Sequence, residues 1–157
     1  ATVDLMMLLN EAGHALTTEL AAGLAGIGIT PREHCVLSKA ARGDMTQREI
    51  AAQAGIDKTT MVVTVDQLER AGLAERRPAP TDRRARIVAI TPDGREVLAR
   101  ADPAVPGIYD DVLGALPPRE RAGLVAALQR LVEGDGRLSS PVEGQGIRRP
   151  RAKNLPT

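Results

Sequence analysis

The stretch DKTTMVVTVDQLERAGL, residues 57–73, lies at the centre of the segment that decides the fold, residues 46–91. Asp57 is a residue type that commonly caps the start of a helix. Met61, Val65 and Leu68 follow it at helical spacing, so their side chains share one face. Gly72 is suited to the left-handed turn that ends many helices. The stretch therefore predicts one amphipathic helix.

A shorter helix and a hairpin flank that helix. Thr46-Gln47-Arg48-Glu49 is a capping-box sequence, which predicts a helix start at residue 46. Residues 73–77 and 86–90 are typical of short strands, and the prolines of the PAPTDR segment between them favour an exposed turn. Two helices followed by a hairpin predict a winged helix-turn-helix. Its second helix is expected to enter a DNA major groove, and the hairpin a neighbouring minor groove.

Further helices are predicted on both sides of this unit. Residues 3–26 carry apolar side chains at helical spacing, and Thr30-Pro31-Arg32-Glu33 provides a second capping box. A helix opens at Thr91-Pro92, and Asp102 is predicted to act as a new N-cap, with Pro103 at the first helical position. Pro117-Pro118 starts the last helix.

Positive charge is unevenly distributed along the 157 residues. The net charge is only +1, yet residues 75–86 carry +3 and residues 137–157 carry +4, which leaves −6 for the rest. This pattern indicates two local contacts with polyanions rather than a generally basic protein. The plainer alternative, that the arginines only solvate a hairpin and a tail, stays open for the tail.

The composition indicates a soluble protein of the cytoplasm. The one cysteine, Cys35, excludes an intramolecular disulfide, and no apolar run approaches the length of about 20 residues that spans a bilayer. One tyrosine is the only aromatic residue, so the core must be aliphatic. Residues 137–157 are rich in Pro, Gly and Ser and are expected to be disordered alone.

Nine residues are the predicted DNA contacts. The start of the second helix offers a lysine for phosphate or guanine, threonine hydroxyls, and a valine for a thymine methyl group. Arginines at a rigid hairpin tip suit a narrow minor groove, and Asp82 is predicted to hold one of them in a bidentate pair. The nine are Thr46, Gln47, Lys58, Thr59, Thr60, Val63, Arg83, Arg84 and Arg86.

Four segments together resemble the MarR family of bacterial transcription regulators: residues 46–51, 57–60, 68–73 and 82–94. The resemblance covers about residues 3–134, and the Asp-x-Arg pattern of the hairpin is its most specific part. It implies a homodimer on a palindromic operator, with Arg84 in the minor groove and repression relieved by a small molecule or by oxidation. Val62-Val63 departs from the Thr-Arg frequent in the family, and His34 replaces a usual aromatic residue.

Three residues are candidate effector ligands, namely His14, His34 and Tyr109. Two histidines without a cluster of further ligands make a weak metal site, so no metal is expected. Tyr109 either lines a cavity or packs at a dimer interface. Cys35 is either a redox switch or a small buried side chain.

The predicted fold class is mainly α: a winged helix-turn-helix with a small two-stranded wing and terminal helices that form a dimerisation domain. Residues 1–29 and 92–134 are assigned to dimerisation, 30–91 to DNA binding and 135–157 to a basic tail. The predicted function is a DNA-binding regulator, with double-stranded DNA, a second copy and a small effector as partners and no cofactor. The alternatives are a protein-docking winged helix and a cysteine-based redox regulator. No acid-base or nucleophile constellation supports an enzyme.

Overall fold

The computed structural model describes residues 2–133, which form seven helices and one two-stranded antiparallel sheet. The elements are α1 Leu5–Leu24, α2 Pro31–Ala40, α3 Gln47–Ala54, α4 Lys58–Arg70, β1 Ala74–Pro78, β2 Arg86–Ile90, α5 Pro92–Ala101, α6 Ala104–Leu113 and α7 Pro118–Glu133. The predicted fold class is confirmed. The predicted basic tail, residues 135–157, lies outside the described residues.

Both predicted capping boxes form. The hydroxyl oxygens of Thr30 and Thr46 accept from the backbone N–H groups of Glu33 and Glu49 at 3.1 Å, and each glutamate accepts from its threonine N–H at 2.8 Å. Two otherwise unpaired backbone donors are satisfied at each helix start. The starts of α2 and α3 therefore have the caps that the local sequence predicts.

The core is aliphatic, as the composition requires. Its largest fully buried side chains come from α1, α2, α3, α4 and β2, and they are Leu24, Val36, Leu37, Ile50, Met61, Val65, Leu68 and Val88. Thr64 is the one buried polar residue among those described, and its hydroxyl donates to the carbonyl of Thr60 at 2.8 Å. The predicted apolar face of α4 thus packs inward and leaves the opposite face exposed.

The wing is braced against the first helix of the helix-turn-helix. β1 pairs with β2 from Ala74↔Ile90 to Pro78↔Arg86, and an isolated bridge joins Thr46 to Ile87. A two-stranded hairpin alone is at best marginally stable in water. The bridge to the cap of α3 and the burial of Val88 supply the support that the hairpin lacks.

Helices α5 and α6 meet at a bend, and the prediction that Asp102 caps α6 is wrong. Pro103 occupies the cap position in helical conformation, without a side-chain cap bond. The Asp102 carboxylate instead lies 3.1 Å from His34 Nε2 on α2. Pro106 does not break α6 because it lies in the first turn, where its missing N–H would have no helical partner.

Thr91 joins three elements at the end of β2. Its hydroxyl donates to the carbonyl of Gly72 at 2.7 Å and accepts from the N–H of Gly94 at 3.0 Å. Its backbone N–H donates to the carbonyl of Leu73 at 3.1 Å. The end of α4 and the first turn of α5 are therefore held by one residue.

Candidate nucleic-acid interface

A groove of about 740 Å³ lies between α3, the start of α4 and the tip of the wing. Its charged lining consists of four basic residues and one carboxylate, which are Arg48, Lys58, Arg84, Arg86 and Asp82. A concave surface with a net positive lining concentrates the field and attracts polyanions. The groove brings together five of the nine predicted contacts: Thr46, Gln47, Lys58, Arg84 and Arg86.

The exposed face of α4 runs beside the groove. Lys58 and Thr59 are exposed, and the side chains of Val62 and Val63 are 36% and 48% exposed. Thr60, a further predicted contact, is half-buried. The apolar pair therefore presents methyl groups to solvent on the face opposite the core.

Asp57 caps α4 with both carboxylate oxygens. Oδ1 accepts from the backbone N–H of Thr60 at 2.9 Å, and Oδ2 accepts from the Thr60 hydroxyl at 2.6 Å. The hydroxyl bond, followed by the backbone bond, lowers the pKa of Asp57 below its ordinary value of 3.8. The predicted contact Thr60 thus has its hydroxyl proton engaged within the helix start.

The wing tip is closed by Asp82, although not as the sequence predicts. Asp82 Oδ1 accepts from the backbone N–H of Arg84 at 2.9 Å, and its carbonyl accepts from Ala85 N–H at 3.0 Å. The predicted bidentate pair with an arginine side chain does not form. Arg83 and Arg84 are exposed, and within residues 2–133 neither guanidinium has a hydrogen-bond partner. Both side chains therefore project from a fixed turn.

Arg86 takes part in building the tip. Its guanidinium donates to the carbonyl of Arg83 at 2.7 Å, across the turn. This predicted contact both lines the groove and supports the loop that carries Arg83 and Arg84. Its charge remains at the surface because a carbonyl does not neutralise it.

Arg76 belongs to the positively charged hairpin in the sequence. In the structure its guanidinium is already bonded to carboxylates, a backbone carbonyl and a side-chain amide. Its guanidinium donates to Glu69 at 2.6 Å and lies 2.7 Å from the Asp66 carboxylate. It also donates to the carbonyl of Val62 at 3.2 Å and to Gln47 Oε1 at 2.9 Å. The Arg77 guanidinium pairs with Glu75.

Arg48 lines the groove but was missed by sequence reasoning. It follows Gln47 in the first turn of α3, two residues before the buried Ile50. Its position on the helix face opposite the buried Ile50 could have indicated from the sequence that Arg48 is exposed beside the groove.

A second cavity, of about 620 Å³, lies between α1, α2, the α3–α4 turn and α6. It is lined by two of the predicted effector ligands, His34 and Tyr109, and by Cys35. Three cations, Arg32, Lys39 and Arg42, also line it. The third predicted ligand, His14, is exposed on α1 and does not line this cavity.

Neither a metal site nor a membrane-spanning helix is found in the part of the chain that the structure describes. No group of three or more His, Cys, Asp or Glu side chains in residues 2–133 is arranged to hold a metal ion. No helix in this range is both long enough and apolar enough to cross a bilayer.

The geometry defines the class of protein. A short capped helix, a turn, a second helix with an exposed basic start and a braced wing with arginines at its tip form a winged helix-turn-helix of the DNA-binding kind. Residues 27–85 match the family model described as "MarR family".

A curated relative from Thauera aromatica is 35% identical over 109 residues, which cover 69% of this chain and 66% of the relative. The matched stretch thus spans slightly under two thirds of that relative, a "putative transcriptional regulatory protein for hcr operon". The chain belongs to the MarR family of transcriptional regulators, and the resemblance found in the sequence is confirmed.

Solved structures show the same fold. A MarR-family transcriptional regulator from Rhodococcus sp. RHA1 is 27% identical, with a TM-score of 0.75 over 82% of this chain and 92% of that one. The transcriptional repressor CouR, bound to a 23-mer DNA duplex, is 30% identical, with a TM-score of 0.72 over 81% of this chain and 91% of that one. CouR from Rhodococcus jostii RHA1 bound to p-coumaroyl-CoA is 28% identical, with a TM-score of 0.71 over 84% and 94% of the two chains.

Proposed function

We propose that this protein is a cytoplasmic, non-catalytic repressor that binds a palindromic operator as a homodimer and leaves it when a small molecule binds. The observation that carries the proposal is the basic groove, in which five predicted contacts from α3, α4 and the wing converge. The DNA-bound structure of CouR, at 30% identity, supports it.

The terminal helices carry the proposed dimer contact. In the single chain, apolar side chains are exposed along the first half of α1 and along α7. Those above one-third exposure include Leu5, Met6, Met7, Leu8, Leu9, Leu124, Val125, Leu128, Leu131 and Val132. Burying such stripes against a second copy removes them from water. The proposal therefore assigns residues 1–29 and 92–134 to dimerisation and residues 30–91 to DNA binding.

Two-fold symmetry fixes the proposed arrangement on DNA. It places the two copies of α4 in successive major grooves, about 34 Å apart. Lys58 and Thr59 approach phosphates or base edges, and Val63 packs on a thymine methyl group. Arg83 and Arg84, which extend from the wing tip, enter the adjacent minor groove.

The cavity lined by His34 and Tyr109 is the proposed effector site. Its three cations, Arg32, Lys39 and Arg42, favour a small anionic molecule. The complex of CouR with p-coumaroyl-CoA supports a ligand-responsive role. Because His34 also pairs with Asp102, a ligand that binds this imidazole contacts the link between α2 and the α5–α6 bend.

Selection of bound duplexes from a random-sequence pool tests the proposal. We expect enrichment of an inverted repeat and an affinity for it that falls steeply with salt, because phosphate contacts release counterions. Sedimentation of the complex is expected to show two chains per duplex. Failure to enrich any sequence, with weak binding at low salt, would favour a protein-docking winged helix instead.

A further inference from the structure

The Arg76 side chain joins three elements that must keep a fixed geometry for DNA binding. It extends from β1, and its side chain is only 20% exposed. It contacts Asp66 and Glu69 on α4 and the side chain of Gln47 at the start of α3. The backbone N–H of Arg76 donates to the second oxygen of Glu69 at 2.8 Å, so both oxygens of that carboxylate are used.

This network removes Arg76 from the charges available to DNA. Two carboxylates lie within 2.7 Å of its guanidinium. Such charge-assisted bonds are short and hold an arginine in one geometry. Arg76 therefore differs from Arg83 and Arg84, although all three lie in the same basic segment of the sequence.

The bond to Gln47 has a fixed polarity. A guanidinium offers N–H donors and no acceptor, so the amide oxygen of Gln47 must be the atom that faces Arg76. The amide –NH₂ group is then directed away from Arg76. Gln47 lines the basic groove, and no other hydrogen bond of its side chain is found within residues 2–133. The end of the side chain that is left for a partner in the groove is therefore the –NH₂ group, a donor.

We propose that Arg76 is a positioning residue for DNA binding: it orients the Gln47 amide so that its –NH₂ group donates to a DNA phosphate, and it fixes the wing against α4. The inference rests on the proposed DNA-binding function. Pre-orienting Gln47 lowers the rotational entropy that the side chain loses on binding. With the amide oxygen directed at Arg76, a partner in the groove meets the –NH₂ group first, which favours a partner that accepts.

The chain offers a matched pair of substitutions for the test. Gln47→Glu keeps an oxygen for Arg76 but replaces the –NH₂ group with a second carboxylate oxygen. Gln53→Glu makes the same change on the same helix at a residue whose Oε1 accepts from Lys39 Nζ at 3.3 Å and which does not line the groove. Both variants have the same net charge.

Binding is measured by fluorescence anisotropy with a labelled duplex that the wild-type protein has selected from a random pool. Gln47→Glu is expected to weaken binding by about tenfold or more, with a thermal midpoint no lower than that of the wild type. Gln53→Glu is expected to change affinity by less than about twofold, because distant exposed charges are screened. Equal affinities of the two variants would overturn the inference.

A double-mutant cycle with Arg76→Lys and Gln47→Met tests the positioning role. Lysine keeps the charge but lacks the fork that reaches two carboxylates and the amide together. We expect Arg76→Lys to weaken binding by about fivefold more when glutamine is present at position 47 than in the Gln47→Met background. Equal losses in both backgrounds would show that Arg76 acts without Gln47 and would overturn the inference.

Different results would overturn the DNA-binding function and the positioning role of Arg76. If the wild-type protein binds no duplex, the DNA-binding function itself is overturned, and the inference with it. If the wild type binds and the Gln47 and Gln53 variants match, only the positioning role is overturned. All variants are measured below the lowest thermal midpoint, and the glutamine pair remains decisive if Arg76→Lys does not fold.

Discussion

The backbone N–H of Arg84 donates to the carboxylate of Asp82 at 2.9 Å, and this bond shapes the turn from which the Arg84 guanidinium projects. A negative charge beside an arginine that is proposed to bind DNA is unfavourable by electrostatics alone. Its presence is explained by the turn, because Asp side chains commonly bond a backbone N–H two residues on.

We therefore expect Asp82→Ala to weaken DNA binding by a few-fold, although it removes a negative charge from the interface. Asp82→Asn keeps an acceptor oxygen and loses the charge, so it should bind at least as tightly as the wild type. Anisotropy with the same duplex measures both affinities. A gain in affinity for the alanine variant would mean that charge outweighs turn geometry.

Arg84→Ala should weaken binding by roughly tenfold or more, because its exposed guanidinium at the wing tip has no partner among the described residues and is available to DNA. The slope of log affinity against log salt should also decrease by about one. Arg77→Ala removes the same charge from the same hairpin at a side chain paired with Glu75, and serves as the control. Matching losses in the two variants would exclude a specific role for the tip.

Gly94 lies against the connection between α4 and β1, and a Cβ added there would come within 2.0 Å of the carbonyl oxygen of Leu73. Gly94→Ala should therefore destabilise the fold by about 1–3 kcal/mol, since the backbone must move. Gly107→Ala is the matched control in α6, because nothing lies within 4 Å of its added Cβ, and it should stabilise the fold by about 0.5–1 kcal/mol. Urea denaturation of both variants measures the free energies of unfolding.

The lowered pKa of Asp57 predicts that the free energy of unfolding decreases at acidic pH. Because its folded pKa lies below 3.8, the ionised carboxylate stabilises the native state. That contribution is complete above the unfolded pKa and is lost as the pH falls through the folded pKa. Asp57→Asn retains a capping oxygen but does not titrate. Denaturation midpoints measured from pH 6 down to about pH 3 should fall more steeply for the wild type than for this variant.

Local sequence predicts most of the fold because its signals act over a few residues. The capping boxes at Thr30 and Thr46 and the cap at Asp57 depend only on residues three positions apart, so they form as predicted. The Asp102 cap does not form, because Asp102 itself is helical, and its carboxylate lies beside His34, 68 positions away. Short-range sequence spacing does not predict a contact between residues so far apart in the chain.

The sequence predicts several of the residues that form the candidate site, but it does not predict the contacts those residues make. The groove contains Lys58 and Arg84, whose types and positions are evident in the sequence. The engagement of Arg76 depends on the packing of β1 beside α4, which brings Asp66 and Glu69 to it. A run of arginines cannot show which member is neutralised by such packing.

The hydroxyl of Thr91 connects the turn after α4 to the first turn of α5. Since Gly72 and Gly94 bond to the same oxygen atom, a change in the tilt of α5 would reach the turn after α4 through one side chain. In the proposed dimer, strain on residues 92–134 would then reach α4, the proposed reading helix, across a single side chain. Thr91 is thus a one-residue link between the start of α5 and the turn that follows α4.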